Sequence, residues 1–242
     1  MINNFYNNYG TMCLFNYVSG KIINLGTSGD ITITRGYALI QRIDNSEIEN
    51  CYSKTNITME NWFTSAGLIY SSYNSKIANC YNNGKFYAKN GASIAGITAY
   101  NYGTEITNCY NSGDYLSETG ATIGGIALSI YDKSIIDNCY NSGNISANGE
   151  NNSITVGGIV QYCNNGSSIL NCCNKGNIST KGDLYGAGIV DSIYNGEINN
   201  CYNEGMITVG DYSNSGGVVK FASTTKITNC YNTKDITVNN IM

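Results

Sequence analysis

The chain has 242 residues, 12% of them charged, with a formal net charge of −4, no histidine and no proline. The absence of histidine excludes Ser-His-Asp, Cys-His and HExxH chemistry within the chain. Only two arginines occur, Arg35 and Arg42, and acid and base are scattered. That is a poor footprint for nucleic acid, which needs a basic stripe.

No apolar run is long enough for a transmembrane helix, so no membrane span is expected. Residues Met1 to Gly10 are polar and aromatic. They lack the charged start and apolar centre of a secretory signal. That start fits either a cytoplasmic protein or an internal segment of a longer exported chain.

One phrase recurs along the chain. A degenerate copy opens at Ile22, with Leu25 and Gly26 where later copies carry Cys and Tyr. Full copies, Ile-x-Asn-Cys, follow from Ile48, Ile77, Ile106, Ile136, Ile169, Ile198 and Ile227. Their cysteines are 29, 29, 30, 33, 29 and 29 residues apart. A fixed period of this kind is the signature of a repeat array, and the whole chain, 1–242, reads as one such domain.

Each copy carries three apolar landmarks. The opening Ile is the first. The second lies nine residues on: Ile31, Ile57, Phe86, Tyr115, Ile145, Ile178, Ile207 and Ile236. The third follows a pair of small residues: Leu14, Leu39, Leu68, Ile97, Ile126, Ile159, Ile189 and Val218. Short runs of Ile, Val, Thr and Tyr broken by Gly and Asn read as strands and turns, and no window keeps a helical apolar period. The prediction is an all-β, right-handed parallel β-solenoid (β-helix) of about eight coils of ~29 residues, with three short strands per coil. At about 4.8 Å per coil the rod is roughly 38 Å long. Proline, which lacks a ladder donor, has no place in such a stack.

Length variation is confined to loops, as at Asn148 to Ser153. The nine-residue spacing never changes, so its turn is rigid. Its asparagine (Asn50, Asn79, Asn108, Asn138, Asn171, Asn200, Asn229) suits a left-handed turn, and is expected to form a buried ladder of amides bonded coil to coil. Gly29, Gly84, Gly113, Gly143, Gly176 and Gly205 are read as a second positive-φ position.

Cys and Tyr are adjacent, so one faces in and one out. The Cys place accepts Leu25, and the Tyr place accepts Gly26 and Cys173. This predicts a buried structural column of Cys51, Cys80, Cys109, Cys139, Cys172, Cys201 and Cys230, acting as small apolar residues. It also predicts an outward column of Tyr52, Tyr81, Tyr110, Tyr140, Tyr202 and Tyr231. On this reading Cys109→Ser costs more than Tyr110→Ala. In-register cysteines are poorly placed for disulfides, and Cys163 with Cys173 are the one local pair open to bridging. Without CxxC or histidine no metal site and no cofactor are expected.

Carboxylates do not pair on neighbouring coils. Glu49 and Asp137 share a repeat position but are separated by Ala78 and Thr107, and Glu47 and Glu105 by Lys76. Two carboxylates at glycosidase separation are not visible, so no catalytic residue is assigned and the chain is read as noncatalytic. The tyrosine column could stack on sugar rings, as could the further set Tyr17, Tyr73, Tyr102, Tyr131, Tyr162 and Tyr194. The plainer alternative is tyrosine stacking that only stabilises the outer sheet.

Ala66-Gly67-Leu68-Ile69, Gly124-Gly125-Ile126, Gly157-Gly158-Ile159-Val160, Ala187-Gly188-Ile189-Val190 and Gly216-Gly217-Val218-Val219, set beside the Asn-Cys-Tyr-Asn phrase, resemble the GLUG-type repeats of bacterial surface proteins and adhesins. Tyr70, Gln161, Asp191 and Lys220 stand where that motif closes with Gly. The resemblance implies a surface location and a stalk or adhesive role, with a host glycan or surface protein as partner. Two other readings are a carbohydrate-active β-helix enzyme, resembling polysaccharide lyases or hydrolases, and a structural solenoid that self-associates end to end through open strand edges.

Overall fold

A computed structural model of the protein describes residues 13–34, 36–149 and 154–238. Met1 to Gly10 and positions 150–153 of the long loop lie outside the described residues. The described chain is all β, and its strands stack in parallel into a β-solenoid of about eight turns.

Register is strict. Ile22, Ile48, Ile77, Ile106, Ile136, Ile169, Ile198 and Ile227 pair in one unbroken column. The second landmark does the same, from Ile31 through Phe86 and Tyr115 to Ile236. A parallel sheet whose strands are one repeat apart places each residue on its own copy. The 29-residue period is therefore the perimeter of the rod.

The expected three strands per coil become five short segments in four sheets. In one coil they are Ile69–Tyr73, Lys76–Ala78, Tyr81–Asn82, Phe86–Ala88 and Ala92–Ala95. The third landmark is the source of the difference. Leu68, Ile97, Ile126, Ile159, Ile189 and Val218 sit in a bend, with a strand ending before them and another starting after, rather than at the centre of a strand. The Tyr81–Asn82 and Phe86–Ala88 segments belong to one sheet, which the first full coils cross with single long strands, Gly26–Ile33 and Tyr52–Met59.

The interior is two cores, not one. The first and third landmarks and the cysteines form one cluster. The second landmark forms the other with Ile94, Ile123, Ile154, Val156 and Leu184. Between them lies a column of buried asparagines, Asn82, Asn111, Asn141, Asn174 and Asn203. Facing it across the coil is the second small residue of each Gly-Gly-Ile segment. A Cβ added to Gly67 would lie 2.9 Å from Asn82 Cγ, and one on Gly125 2.9 Å from Asn141 Cγ. The walls touch there, so the cross-section has a waist. Outside the waist the chain re-enters, and Ala66, Ala95, Ala99 and Leu128 pack beneath Tyr70 and Tyr100 as a separate apolar cluster.

Glycines 84, 113, 143, 176 and 205 are not positive-φ positions; only Gly29 of that set is, at φ 120°. Their role is steric. A Cβ on any of the five would overlap the carbonyl oxygen of the matching residue one coil back. Glycine is required because neighbouring coils come into backbone contact at that corner.

The waist gives a test. Gly125→Ala pushes a methyl into both Asn141 and the Gly158 carbonyl. It should destabilise by about 1–3 kcal/mol or more in urea unfolding, and so should Ala at the preceding Gly124, whose methyl would overlap the Ala127 carbonyl oxygen even though Ala66 and Ala95 occupy the same column.

Candidate functional site

Two corners of each coil share one design. Asn50, Asn79, Asn108, Asn138, Asn171, Asn200 and Asn229 adopt φ between 51° and 55°. Asn45, Asn74 and Asn195 do so, at 46–48°, one corner earlier. After Asn45 and Asn74, and after each asparagine of the later corner, a small side chain turns inward and donates to the carbonyl two residues back, whereas Asn195 is followed by Gly196. At the earlier corner it is a hydroxyl, as in Ser46 to Asp44 O (2.9 Å) and Ser75 to Tyr73 O (2.6 Å). At the later corner it is a thiol: Cys51 to Glu49 O, Cys80 to Ala78 O and Cys109 to Thr107 O at 3.2–3.3 Å.

The cysteine column is buried from Cys51 to Cys201, with Cys230 half-buried. It is not simply apolar filler. Backbone N–H groups of Cys51, Cys80, Cys109 and Cys172 donate to the sulfur one coil on, each at 3.4 Å. The hydrogen bond to the neighbouring thiol pushes Cys51, Cys80 and Cys201 well above the usual thiol range, and burial does so at Cys139. At Cys109 and Cys172 burial again opposes ionisation, while hydrogen bonds from the thiols on either side and from a backbone N–H favour it. Protonated, enclosed thiols are poor nucleophiles and poor metal ligands. Cys163 and Cys173 are both free: Cys163 packs in the interior, where burial pushes it up to about 12, and Cys173 lies on the tyrosine strand.

The asparagine ladder lies three residues on from its expected place. Asn50 and its counterparts hold the left-handed turn, but Asn50, Asn79, Asn108, Asn138, Asn171, Asn200 and Asn229 lie at or near the surface. Their amide chain is broken: Asn138 bonds Asn108 and Asn200 bonds Asn171, but Asn171 bonds Asp137 and Asn229 bonds Asn199. The buried ladder belongs to the asparagine after the tyrosine. Asn82, Asn111, Asn141, Asn174 and Asn203 each donate to the next amide oxygen at 2.7–2.9 Å. The second N–H of each goes to a glycine carbonyl two residues on, at 2.7–3.0 Å. A left-handed backbone aims the first asparagine outward, whereas the second sits on a strand and points into the waist.

Tyrosine forms two ladders on the outside. Tyr52, Tyr81, Tyr110 and Tyr140 stack with centroids 5.0–5.2 Å apart and planes within 8°. Tyr202 and Tyr231 stack at 5.2 Å, with Tyr231 53% exposed. The second ladder runs Tyr73, Tyr102, Tyr131, Tyr162, Tyr194 and Phe221 at 4.9–5.7 Å. The Arg42 guanidinium caps it, 4.3 Å from the Tyr73 centroid. Sequence spacing missed Arg42 and Phe221. Tyr17, Tyr162 and Phe221 are not in register with Tyr73, Tyr102, Tyr131 and Tyr194: with Arg42 they belong to the column two residues earlier, and Tyr162 and Phe221 reach the ladder from there with ring planes tilted by 38–45°.

Acids alternate with amides and amines. Asp30 accepts from Asn56, Asp132 from Asn165 and Asp137 from Asn171. Asp114 meets Lys85, Glu60 meets Lys89, Glu197 meets Lys226, and Glu47 and Glu49 share Lys21. Asp191, nearly enclosed, holds Lys220 at 2.7 Å and accepts from Gln161. Glu49 and Asp137 stay separated by Ala78 and Thr107, and Glu47 and Glu105 by Lys76. Among the described residues no group of three His, Cys, Asp or Glu could hold a metal ion, and no helix is long and apolar enough to cross a membrane.

No protein-family model matches the chain, and no curated protein is significantly similar to it in sequence.

The two ladders separate by energy. Asn141→Ala strands the amides of Asn111 and Asn174 in a dry waist and should cost about 2–4 kcal/mol. Asn138→Gly keeps a left-handed turn and should cost less than about 1 kcal/mol. Equal losses in chemical unfolding would place the structural ladder at the surface. In the neighbouring pair, serine can repeat the thiol's bond, so Cys109→Ser should be milder than Cys109→Ala, at about 1–3 kcal/mol. Tyr110→Ala removes two ring stacks and should cost about 1–2 kcal/mol, bringing the two sites closer in cost than sequence spacing suggests.

Proposed function

We propose that the chain is a noncatalytic rod segment of a bacterial cell-surface protein, acting as an adhesive or a spacer. The observation that carries this reading is the pair of outward tyrosine ladders. They present aromatic faces and phenol tips at one coil spacing along the rod. Such a row supplies apolar area with polar tips, which suits the faces and hydroxyls of an extended glycan or the surface of a partner protein. Most carboxylates described above are engaged by an amide or an amine, and the acids that share a column, Glu49 with Asp137 and Glu47 with Glu105, are not on adjacent coils, which supports a noncatalytic reading. The likeness of the Gly-Gly-Ile segments to GLUG-type repeats supports the surface location.

End-to-end association is the second reading: the parallel strand pairing that joins one coil to the next is the contact that would be repeated between molecules.

Affinity electrophoresis against soluble polysaccharides and mucins, with polymer length checked afterwards, tests the adhesive role. Retardation of the wild type, lost in the Tyr81→Ala/Tyr110→Ala double variant while circular dichroism is unchanged, is the expected result. Shortened polymer would replace this reading with an enzymatic one. Neither retardation nor shortening, with a molecular mass that rises with concentration in light scattering, would favour assembly.

A further inference from the structure

Gln161, Asp191 and Lys220 stand opposite one another on three successive strands, Val160–Cys163, Val190–Tyr194 and Val219–Ser223. The Asp191–Lys220 ion pair differs from the others among the described residues in its enclosure. Its lysine side chain is 16% exposed and its aspartate 4%, whereas the basic side chain of each other pair is at least 42% exposed. Two charges held this far from water are costly. The fold does not require them there, because buried Ala99 and Leu128 fill the same column on earlier coils.

The two carboxylate oxygens of Asp191 are used differently. Oδ2 accepts from Gln161 Nε2 at 2.9 Å and from Ser192 Oγ at 3.2 Å. Oδ1 is shut off from solvent and, among the described residues, accepts no hydrogen bond of normal geometry, although Lys220 Nζ lies 2.7 Å from it. The amine is therefore held against the carboxyl group without the alignment of an ordinary ammonium–carboxylate bond. The same nitrogen lies over the Tyr185 ring, 5.8 Å from its centroid.

We propose that Asp191 and Lys220 condense to an intramolecular amide that staples two neighbouring coils together. A proton passes from Nζ to Oδ1 within the pair. The neutral Nζ then attacks Cγ, and the negative charge that develops gathers on Oδ2. Gln161 and Ser192 donate to that oxygen, where an oxyanion needs its donors. Oδ1 takes a second proton from Nζ, the Cγ–Oδ1 bond breaks, and Oδ1 leaves as water. One carboxylate and one ammonium thus become one amide and one water, with no oxidant, reductant or activating group. The fold holds the reacting groups together, which removes the entropy cost that keeps free acids and amines apart in water. The product is neutral, which relieves the enclosed charges. This inference does not rest on the rod being an adhesin or a spacer.

Intact-mass spectrometry of the purified chain tests it, at isolation and again after prolonged incubation of the folded protein. Wild type should weigh one water less than its sequence. Proteolysis should release a branched peptide that joins the segments holding Asp191 and Lys220. Lys220→Arg keeps the charge and should show the full mass, with circular dichroism unchanged. In a reducing, denaturing gel the wild type should run ahead of Lys220→Arg, because the link shortens the unfolded chain. Full mass in wild type on both occasions overturns the proposal. So does a loss of water that persists in Lys220→Arg, or a digest without the branched peptide.

Discussion

Everything in this rod depends on parallel backbone pairing between coils. Each strand hydrogen-bonds to the strand one repeat away, so each side chain lies about 4.8 Å from its own copy. A residue persists in a column only if it tolerates itself at that distance. Asparagine does, because its amide both donates and accepts. Tyrosine does by stacking, and cysteine and serine by offering an acceptor to the N–H and a donor to a carbonyl. Like charges do not, which accounts for Lys76 lying between Glu47 and Glu105 and for the amides set beside Asp30, Asp132 and Asp137. The low charge content and the scattering of acids follow from the stack rather than from any chemistry.

The second constraint is the waist. Where Gly67, Gly96, Gly125, Gly158 and Gly188 press on the asparagine ladder, the opposite walls are in contact. The interior is divided into two narrow apolar cores, each the width of a few side chains. The buried amides are the polar seam between them, and each N–H in that seam has a partner. A cross-section this thin commits the inside to packing, and the groups open to solvent lie on the outer surface.

On that surface the repeating features are aromatic. The two tyrosine ladders give the rod lines of ring faces and hydroxyls, and Arg42 closes one of them. Columns of this kind stabilise the sheet, and on the function proposed above the same rings would form the contact surface. The first ladder is interrupted at Cys173, where the backbone register is kept.

Much of this was legible in the sequence. The 29-residue period, the apolar landmarks, the inward cysteines at Cys51 to Cys201 and the outward tyrosines are read from spacing and from the exceptions at Leu25, Gly26 and Cys173. These are properties of a column, and a one-dimensional repeat lists every column in register. What the sequence could not decide was direction and closure. Asn50 and Asn82 have the same side chain in the same phrase, yet one is turned to the surface by a left-handed backbone and the other into the waist from a strand. Gly84 reads like a turn glycine, but its need comes from the carbonyl of Thr55 one coil back. The third landmark looked like the centre of a strand and proved to be a bend. In each case the deciding contact lies across the coil or between coils, and only the closed path of the chain brings those atoms together.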